Sequence, residues 1–371
     1  MSPDSGAHNA APTDPRRSPV EVAWFAALCD DDYEFLGVLD AQRQSSWEHC
    51  GRIVRTADRC GYDNVLLPSG YQLGIDSTAF AAAIATHTEQ IRLLLAIRMG
   101  EMWLPQLARQ LATIDRFCAG RLCLNIISSD LPGETLDAAP RYRRTAEWMQ
   151  ALRTLLNGEP LSMDGEFVQL DIDPPRVTTV SGTCPPMYFG GFSDHAKDVA
   201  ARHADVFLTW PDTVTGVRAT VSEMQSRAAA HERSLICGLR VHVIVRETET
   251  QARDAAVRLV SRLDDTTGAA IRSRSLDAAS VGVQRQAQLR EESDADGYVE
   301  DQLWTGIGRA RSGAGAAIVG DPDQVLAKLE AYRDAGVGAF ILSGYPHDDE
   351  CERFGSLVLE RLDHAPITPI T

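Results

Sequence analysis

Two short stretches of this 371-residue chain carry side chains whose types and spacing can do chemistry. In "CGLRVHVIVRET", Arg240 and His242 interrupt a run of valines. Two residues apart on a strand, they project to the same face. Val241, Val243 and Val245 fill the opposite face. Either the polar pair lines a pocket, or it turns outward to meet acids on a helix. A buried, unpaired guanidinium is costly, which favours a pocket with a ligand. The second stretch is "AFILSGYPHDDE", an apolar strand that ends in a Tyr-Pro-His corner. Pro346 pushes Tyr345 into an extended conformation, so Tyr345 and His347 face one side just past the strand. The alternative is a structural turn with a surface histidine. An arginine, two imidazoles and a phenol can together grip an anion and donate hydrogen bonds to developing negative charge.

Other groups are weaker taken singly. In "YFGGFSDHAKDVAARHAD", a strand ends in Gly190 and Gly191, and Ser193 begins a helix. Backbone N–H groups at a helix start bind phosphate, and glycines admit close approach of a ligand. The same residues also read as a turn and an ordinary N-cap. Trp210, Ser128 and Ser129 stand at the ends of two further strands, where they suit a flat polar ring system or simple packing. Arg309 and Arg311 precede a small-residue loop, as an anion clamp or as solvated side chains. There is no CxxC or zinc spacing, and no GxSxG elbow, so neither a metal site nor a serine nucleophile is expected.

These residues need a scaffold. Apolar runs at 20–28, 64–68, 91–98, 121–128, 186–191, 205–210, 239–245 and 339–344 alternate with amphipathic stretches. Continuous apolar runs suit parallel strands buried on both faces. Eight β-then-α units predict a (β/α)8 TIM barrel, with its site at the C-terminal ends of the strands. A doubly wound sheet fits less well, because no GxGxxG follows the first strand. Ser45 and Glu48 have capping-box spacing, and Gly61 marks that helix's end. Residues 266–316, between strands seven and eight, are too long for an ordinary loop. They read as a mobile lid or as a plain insertion. Residues 1–18 read as a disordered tail, and 19–365 as one barrel domain.

A formal net charge of −16 argues against nucleic acid, yet leaves room for a small anionic substrate in a local basic pocket. No stretch is long and apolar enough to span a membrane. The start lacks the apolar core of a secretory signal, so reduced thiols in a cytoplasm are expected for the eight cysteines.

The stretches "RCGYDNVLLPSG", "ARQLATIDRFCAGRLCLNI", "YFGGFSD", "DVFLTW", "GLRVHVIVRET", "LWTGIGRARSGAGAAIVGD" and "FILSGYPH" run through nearly the whole folded chain. With them the chain resembles the reduced-FMN-dependent alkanesulfonate monooxygenases of the bacterial luciferase superfamily. The resemblance implies a TIM barrel with a mobile insertion before the last strand. It implies reduced FMN supplied by a separate NAD(P)H-dependent FMN reductase, and oxidation of an alkanesulfonate to an aldehyde and sulfite. It implies a homodimer or homotetramer. It places the substrate pocket on Arg240, His242, Arg311, Tyr345 and His347. It places Trp210 in the site and the flavin phosphate at Tyr142, Gly190, Gly191 and Ser193, while Ser128 is expected beside the cofactor from its place at a strand end.

Three positions depart from the family pattern. Cys29 stands where these enzymes usually have histidine, Gly74 lies where they have cysteine, and Ala138 replaces a histidine near Tyr142. A related enzyme acting on a non-sulfonate substrate in a biosynthetic pathway is the alternative these changes raise. "ALCDDDY" adds three aspartates after the first strand, which face either the pocket or water. In the pocket they would favour a cationic or hydroxylated substrate.

Overall fold

The computed structural model describes residues 18–72, 74–273, 281–311 and 313–368. The tail expected over residues 1–18 lies, except for Ser18, outside the described residues. The strands are β1 (Glu21–Phe25), β2 (Asn64–Leu67), β3 (Arg92–Arg98), β4 (Leu122–Ile127), β5 (Leu161–Asp164), β6 (Gln169–Ile172), β7 (Met187–Gly190), β8 (Val206–Thr209), β9 (Ile236–Val245), β10 (Tyr298–Glu300), β11 (Leu303–Trp304), β12 (Ala317–Gly320) and β13 (Val337–Ser343). The principal helices are α1 (Trp47–Cys60), α2 (Ser77–Ile84), α3 (Leu104–Phe117), α4 (Ala138–Leu156), α5 (Asp194–His203), α6 (Val214–Ala229), α7 (Glu249–Val260), α8 (Asp265–Ser273), α9 (Val281–Glu292), α10 (Pro322–Asp334) and α11 (His347–Leu357).

Strands β1, β2, β3, β4, β7, β8, β9 and β13 pair in that order, all parallel, and β13 pairs back onto β1. This is a closed (β/α)8 barrel, and its eight strands fall on the eight apolar runs. Both faces are apolar because both are covered. Val22, Trp24, Val241, Val243 and Val245 belong to the core shared with the surrounding helices. Ala23, Phe25, Leu66, Leu94, Tyr188 and Ile341 pack inside the barrel.

The insertion is built, in part, from α8, α9 and a small sheet. β12 pairs with β9 from His242 to Val245, beyond the point where β8 stops, and β11 and β10 add antiparallel strands outside it. The loop before β12 thereby hangs over the C-terminal mouth of the barrel and carries Arg311. The β5–β6 hairpin is an element with no counterpart among the expected strands. Glu147 of α4 holds it by accepting hydrogen bonds from the N–H groups of Glu166, Phe167 and Val168.

The helix α1 cap also differs from expectation. Ser46, not Ser45, is the N-cap, accepting from His49 N–H. Ser45 instead donates to the Ala27 carbonyl and accepts from Asp30 N–H, tying the loop after β1 to the helix. Gly61 ends α1 in the left-handed conformation, as its position predicts. All eight cysteines are free thiols. Among the described residues, no helix is long and apolar enough to cross a membrane.

Candidate active site

Strand alternation puts Arg240 and His242 on the inner face of β9, at the barrel mouth, and both are buried. Phe25, the last residue of β1, is the hub of the cluster. The Arg240 guanidinium lies 4.6 Å from the Phe25 ring centre and that of Arg311 5.4 Å from it. The His347 ring stacks on the same phenyl at 5.4 Å. Tyr345 lies between the two histidines, stacked on His242 at 5.2 Å and edge-on to His347 at 5.0 Å. Its hydroxyl accepts a 2.5 Å hydrogen bond from Arg311 Nη1, which also donates to Asp31 Oδ2 at 3.1 Å. All five side chains expected to bind substrate therefore meet in one place. The Tyr345–Pro346 peptide is cis.

Several of these groups are buried with nothing to bind. Arg240 Nη1 donates to the Val241 and Ile341 carbonyls, at 3.2 and 3.5 Å, but Nη2 has no partner among the described residues. His242 Nδ1 pairs with Ser343 Oγ at 2.7 Å; among the described residues its Nε2 and the ring nitrogens of His347 make no well-aligned hydrogen bond, with only the Ala314 and Asp31 backbones close enough to act on the two imidazoles. Buried polar atoms are nearly always matched, so this concentration marks a place for a ligand.

Electrostatics sharpen the point. Burial, then the nearby charge of Arg311, lowers Arg240 to about 9. Burial, then the two arginines, holds both imidazoles well below the usual histidine value, so they are neutral at pH 7. Burial raises Tyr345, against the pull of Arg311, and keeps its proton on. Burial opposes the charge on Arg311, but Tyr345 and Asp31 outweigh it and hold the guanidinium ionised.

The three aspartates after β1 do not form a solvated loop. Asp30 accepts from the N–H groups of Ser45 and Gly74. Asp32 is buried, accepts from the N–H groups of Tyr33 and His347, and bonds His49 Nε2 at 2.8 Å. Asp31 is the partner of Arg311. Cys29 beside them is pushed up to about 12 by burial and then by Asp31, so it is a neutral thiol. Gly74 is required sterically. Its φ is +80°, and a Cβ there would lie 1.7 Å from the Leu28 carbonyl oxygen.

Next to the cluster opens a cavity of about 620 Å³. Phe25, Leu66, Ile126, Leu208 and Ile341 form apolar wall, while Arg240 and Arg311 connect it to the polar cluster. Ser128, Tyr142, Gly190, Gly191, Ser193 and Trp210 all line it, so the expected flavin residues also share one space. Ser193 caps α5, accepting from Ala196 N–H at 3.2 Å, which realises the N-cap reading and leaves its hydroxyl proton free. A Cβ at Gly191 would lie 2.5 Å from Ala196 Cβ and would close this end. Arg141 was not singled out by sequence. It lines the cavity, pairs with Asp130 at 2.9 Å and keeps a buried Nε without a partner among the described residues. Ala138 offers only a methyl group there. A helix start, a glycine cradle, a phenol and a guanidinium around one cavity are a donor set that fits the phosphate of FMN.

The family model for the luciferase-like monooxygenases matches residues 35–339. The sulfoquinovose monooxygenase of Novosphingobium aromaticivorans is 60% identical over 354 residues, covering 94% of this chain and 98% of that protein. That of Agrobacterium fabrum is 49% identical over 345 residues, covering 92% and 89%. The crystal structure of DmoA from Hyphomicrobium sulfonivorans superposes with a TM-score of 0.75 at 16% identity, covering 95% of this chain and 90% of that one. The chain belongs to the luciferase-like monooxygenase family.

Proposed function

We propose that this protein is the oxygenase of a two-component flavin system acting on a sulfonated sugar of the sulfoquinovose type. The single observation that carries this reading is the buried Arg240 with its unmatched Nη2, beside a second guanidinium at the mouth of a flavin-sized cavity. A sulfonate is a permanent anion with three acceptor oxygens, and a guanidinium suits it. Two relatives named sulfoquinovose monooxygenase, 60% and 49% identical, support a sugar sulfonate over a plain alkanesulfonate. A separate NAD(P)H-dependent FMN reductase supplies the reduced cofactor.

Bound reduced FMN provides the electrons that activate oxygen. In the net reaction one oxygen atom goes to the carbon that bore sulfur and the other leaves as water. The C–S bond breaks, giving an aldehyde and sulfite. The chain's own residues bind, orient and shield. Arg240 holds the sulfonate. Ser343 fixes the His242 ring through Nδ1, leaving Nε2 as its free pole. Tyr345 keeps its proton while accepting from Arg311, so it can donate a hydrogen bond to developing negative charge. Arg311 pins the loop before β12 over the mouth and helps exclude water. Gly190, Gly191, Ser193, Tyr142 and Arg141 hold the FMN phosphate, and Trp210 and Ser128 border the rest of the cofactor.

The test is sulfite release from a panel of sulfoquinovose and plain alkanesulfonates, supplied with reduced FMN and oxygen. Sulfite from sulfoquinovose supports the proposal. A panel that yields none rejects it.

A further inference from the structure

Asp31 carries a charge that sulfonate binding alone leaves unexplained. Its Oδ2 pairs with Arg311, but its Oδ1 is buried and has no partner among the described residues. Its neighbours differ. Asp30 uses both oxygens on backbone N–H groups, and Asp32 uses both on backbone and His49. Of three consecutive carboxylates, only the one touching the site keeps an oxygen in reserve. A desolvated, unmatched carboxylate oxygen is costly unless a ligand matches it.

The charge count leads to the same residue. Arg240 and Arg311 share the Phe25 ring, while His242 and His347 are neutral and Tyr345 and Cys29 keep their protons. Two guanidiniums alone would suit a dianion. Asp31 cancels one of them and leaves a single positive charge, the match for one sulfonate.

We propose that Asp31 sets the specificity of this site. By neutralising Arg311 it fits the pocket to a singly charged anion, and its free Oδ1 accepts a hydrogen bond from a hydroxyl on the same substrate. This inference rests on the sugar-sulfonate reading above and deepens it by naming the residue that sets the charge and hydroxyl preference of the site.

The first test needs no turnover. Methanesulfonate and inorganic sulfate, similar in shape but differing in charge, are titrated onto the full chain in the presence of FMN. The wild type is expected to bind methanesulfonate at least about tenfold more tightly, despite its two arginines. Asp31→Asn, which keeps the shape and removes the charge, is expected to shift the preference towards sulfate by about tenfold or more. A wild type that prefers sulfate, or a variant with an unchanged preference, overturns the charge assignment. Should Asp31→Asn fail to fold, Asp31→Ser is titrated in its place, with the same expected shift and the same contrary result.

The second test is turnover by Asp31→Ala. Its kcat/KM for sulfoquinovose is expected to fall about 10- to 100-fold. For hexanesulfonate, which shares the sulfonate but has no hydroxyl, it is expected to fall less, so that the ratio of sulfoquinovose to hexanesulfonate turnover drops at least about fivefold. Equal losses on both would make Asp31 merely structural and overturn the hydroxyl contact. A wild type that releases sulfite from neither rejects the sulfonate reading, while the anion titration still decides the charge role of Asp31.

Discussion

At the floor of the barrel, Glu21 is as deeply buried as any group at the mouth, yet it is fully matched. Tyr188 Oη donates to its Oε1 at 2.6 Å, Asn64 Nδ2 reaches the same oxygen at 3.4 Å, and Ile367 N–H reaches Oε2 at 3.3 Å. Arg92 completes the plug by donating to the Ile367 carbonyl at 2.6 Å. At the mouth, Arg240 Nη2 and Asp31 Oδ1 have no such partners among the described residues, and His242 Nε2 and the His347 ring nitrogens have no well-aligned one, only the nearby Ala314 and Asp31 backbones. One barrel thus buries polar groups at both ends and completes their hydrogen bonding at only one. The floor spends its polar groups on holding the fold. The mouth withholds its own for a ligand, at the end where barrels of this kind place their chemistry.

Exchanging the consequences of mutation is the strongest way to break that contrast. Arg240→Met is expected to cut kcat/KM for sulfite release by roughly 10²–10³-fold, because it removes the charge-assisted contact proposed for the sulfonate. It is expected to leave the melting temperature unchanged or higher, because a buried unmatched cation is relieved. Glu21→Ala is expected to do the opposite. It should cost about 2–4 kcal/mol in denaturant unfolding, by orphaning Tyr188 and Asn64, with activity per folded molecule preserved. If Arg240→Met unfolds the protein while Glu21→Ala abolishes turnover at full stability, the two ends have been assigned the wrong way round.

The pH dependence sharpens the mouth further. Arg240 sits below the ordinary arginine value, at about 9, because burial disfavours its charge. Sulfonate binding requires the charged form. Affinity is therefore complete below about pH 9 and falls as pH rises through that value, by about tenfold per unit. The two histidines are already neutral, so they add no step between about pH 6 and 8. A titration of sulfonate affinity from about pH 6 to 10.5 checks both statements, with loss on the acid side as the contrary result. Smaller still, Gly191→Ala crowds Ala196 and should weaken FMN binding about tenfold by fluorescence titration. The smallest effect belongs to Ser193→Ala, which removes the α5 cap and should cost about 1 kcal/mol in unfolding.

The barrel was legible because its strands are buried on both faces and read as unbroken apolar runs. Arg240 and His242 were legible for the complementary reason, as polar residues that alternate with valines in such a run. Gly190, Gly191 and Ser193 announce a strand end and a helix start wherever they occur. What stayed hidden depends on distant pairing. Asp31 meets Arg311 across 280 positions, so nothing local told whether the aspartates faced water or the site. Phe25 reads as one more core residue of the first strand, yet the closed barrel makes it the platform for two guanidiniums and an imidazole. The β5–β6 hairpin escaped notice because its strands have four residues each and are partly exposed, with no sustained apolar run. Ser45 and Ser46 compete for one cap, and the choice is made by Asp30, which draws Ser45 into the loop.

The central claim is that the unmatched nitrogens at the mouth exist for a sulfonate. A crystal structure of the protein with FMN and a bound sulfonate tests it most directly. The account predicts a sulfonate oxygen within hydrogen-bonding distance of Arg240 Nη2, with the remaining oxygens facing the free nitrogens of His242 or His347. A sulfonate bound elsewhere, with those nitrogens satisfied by ordered water, would contradict it.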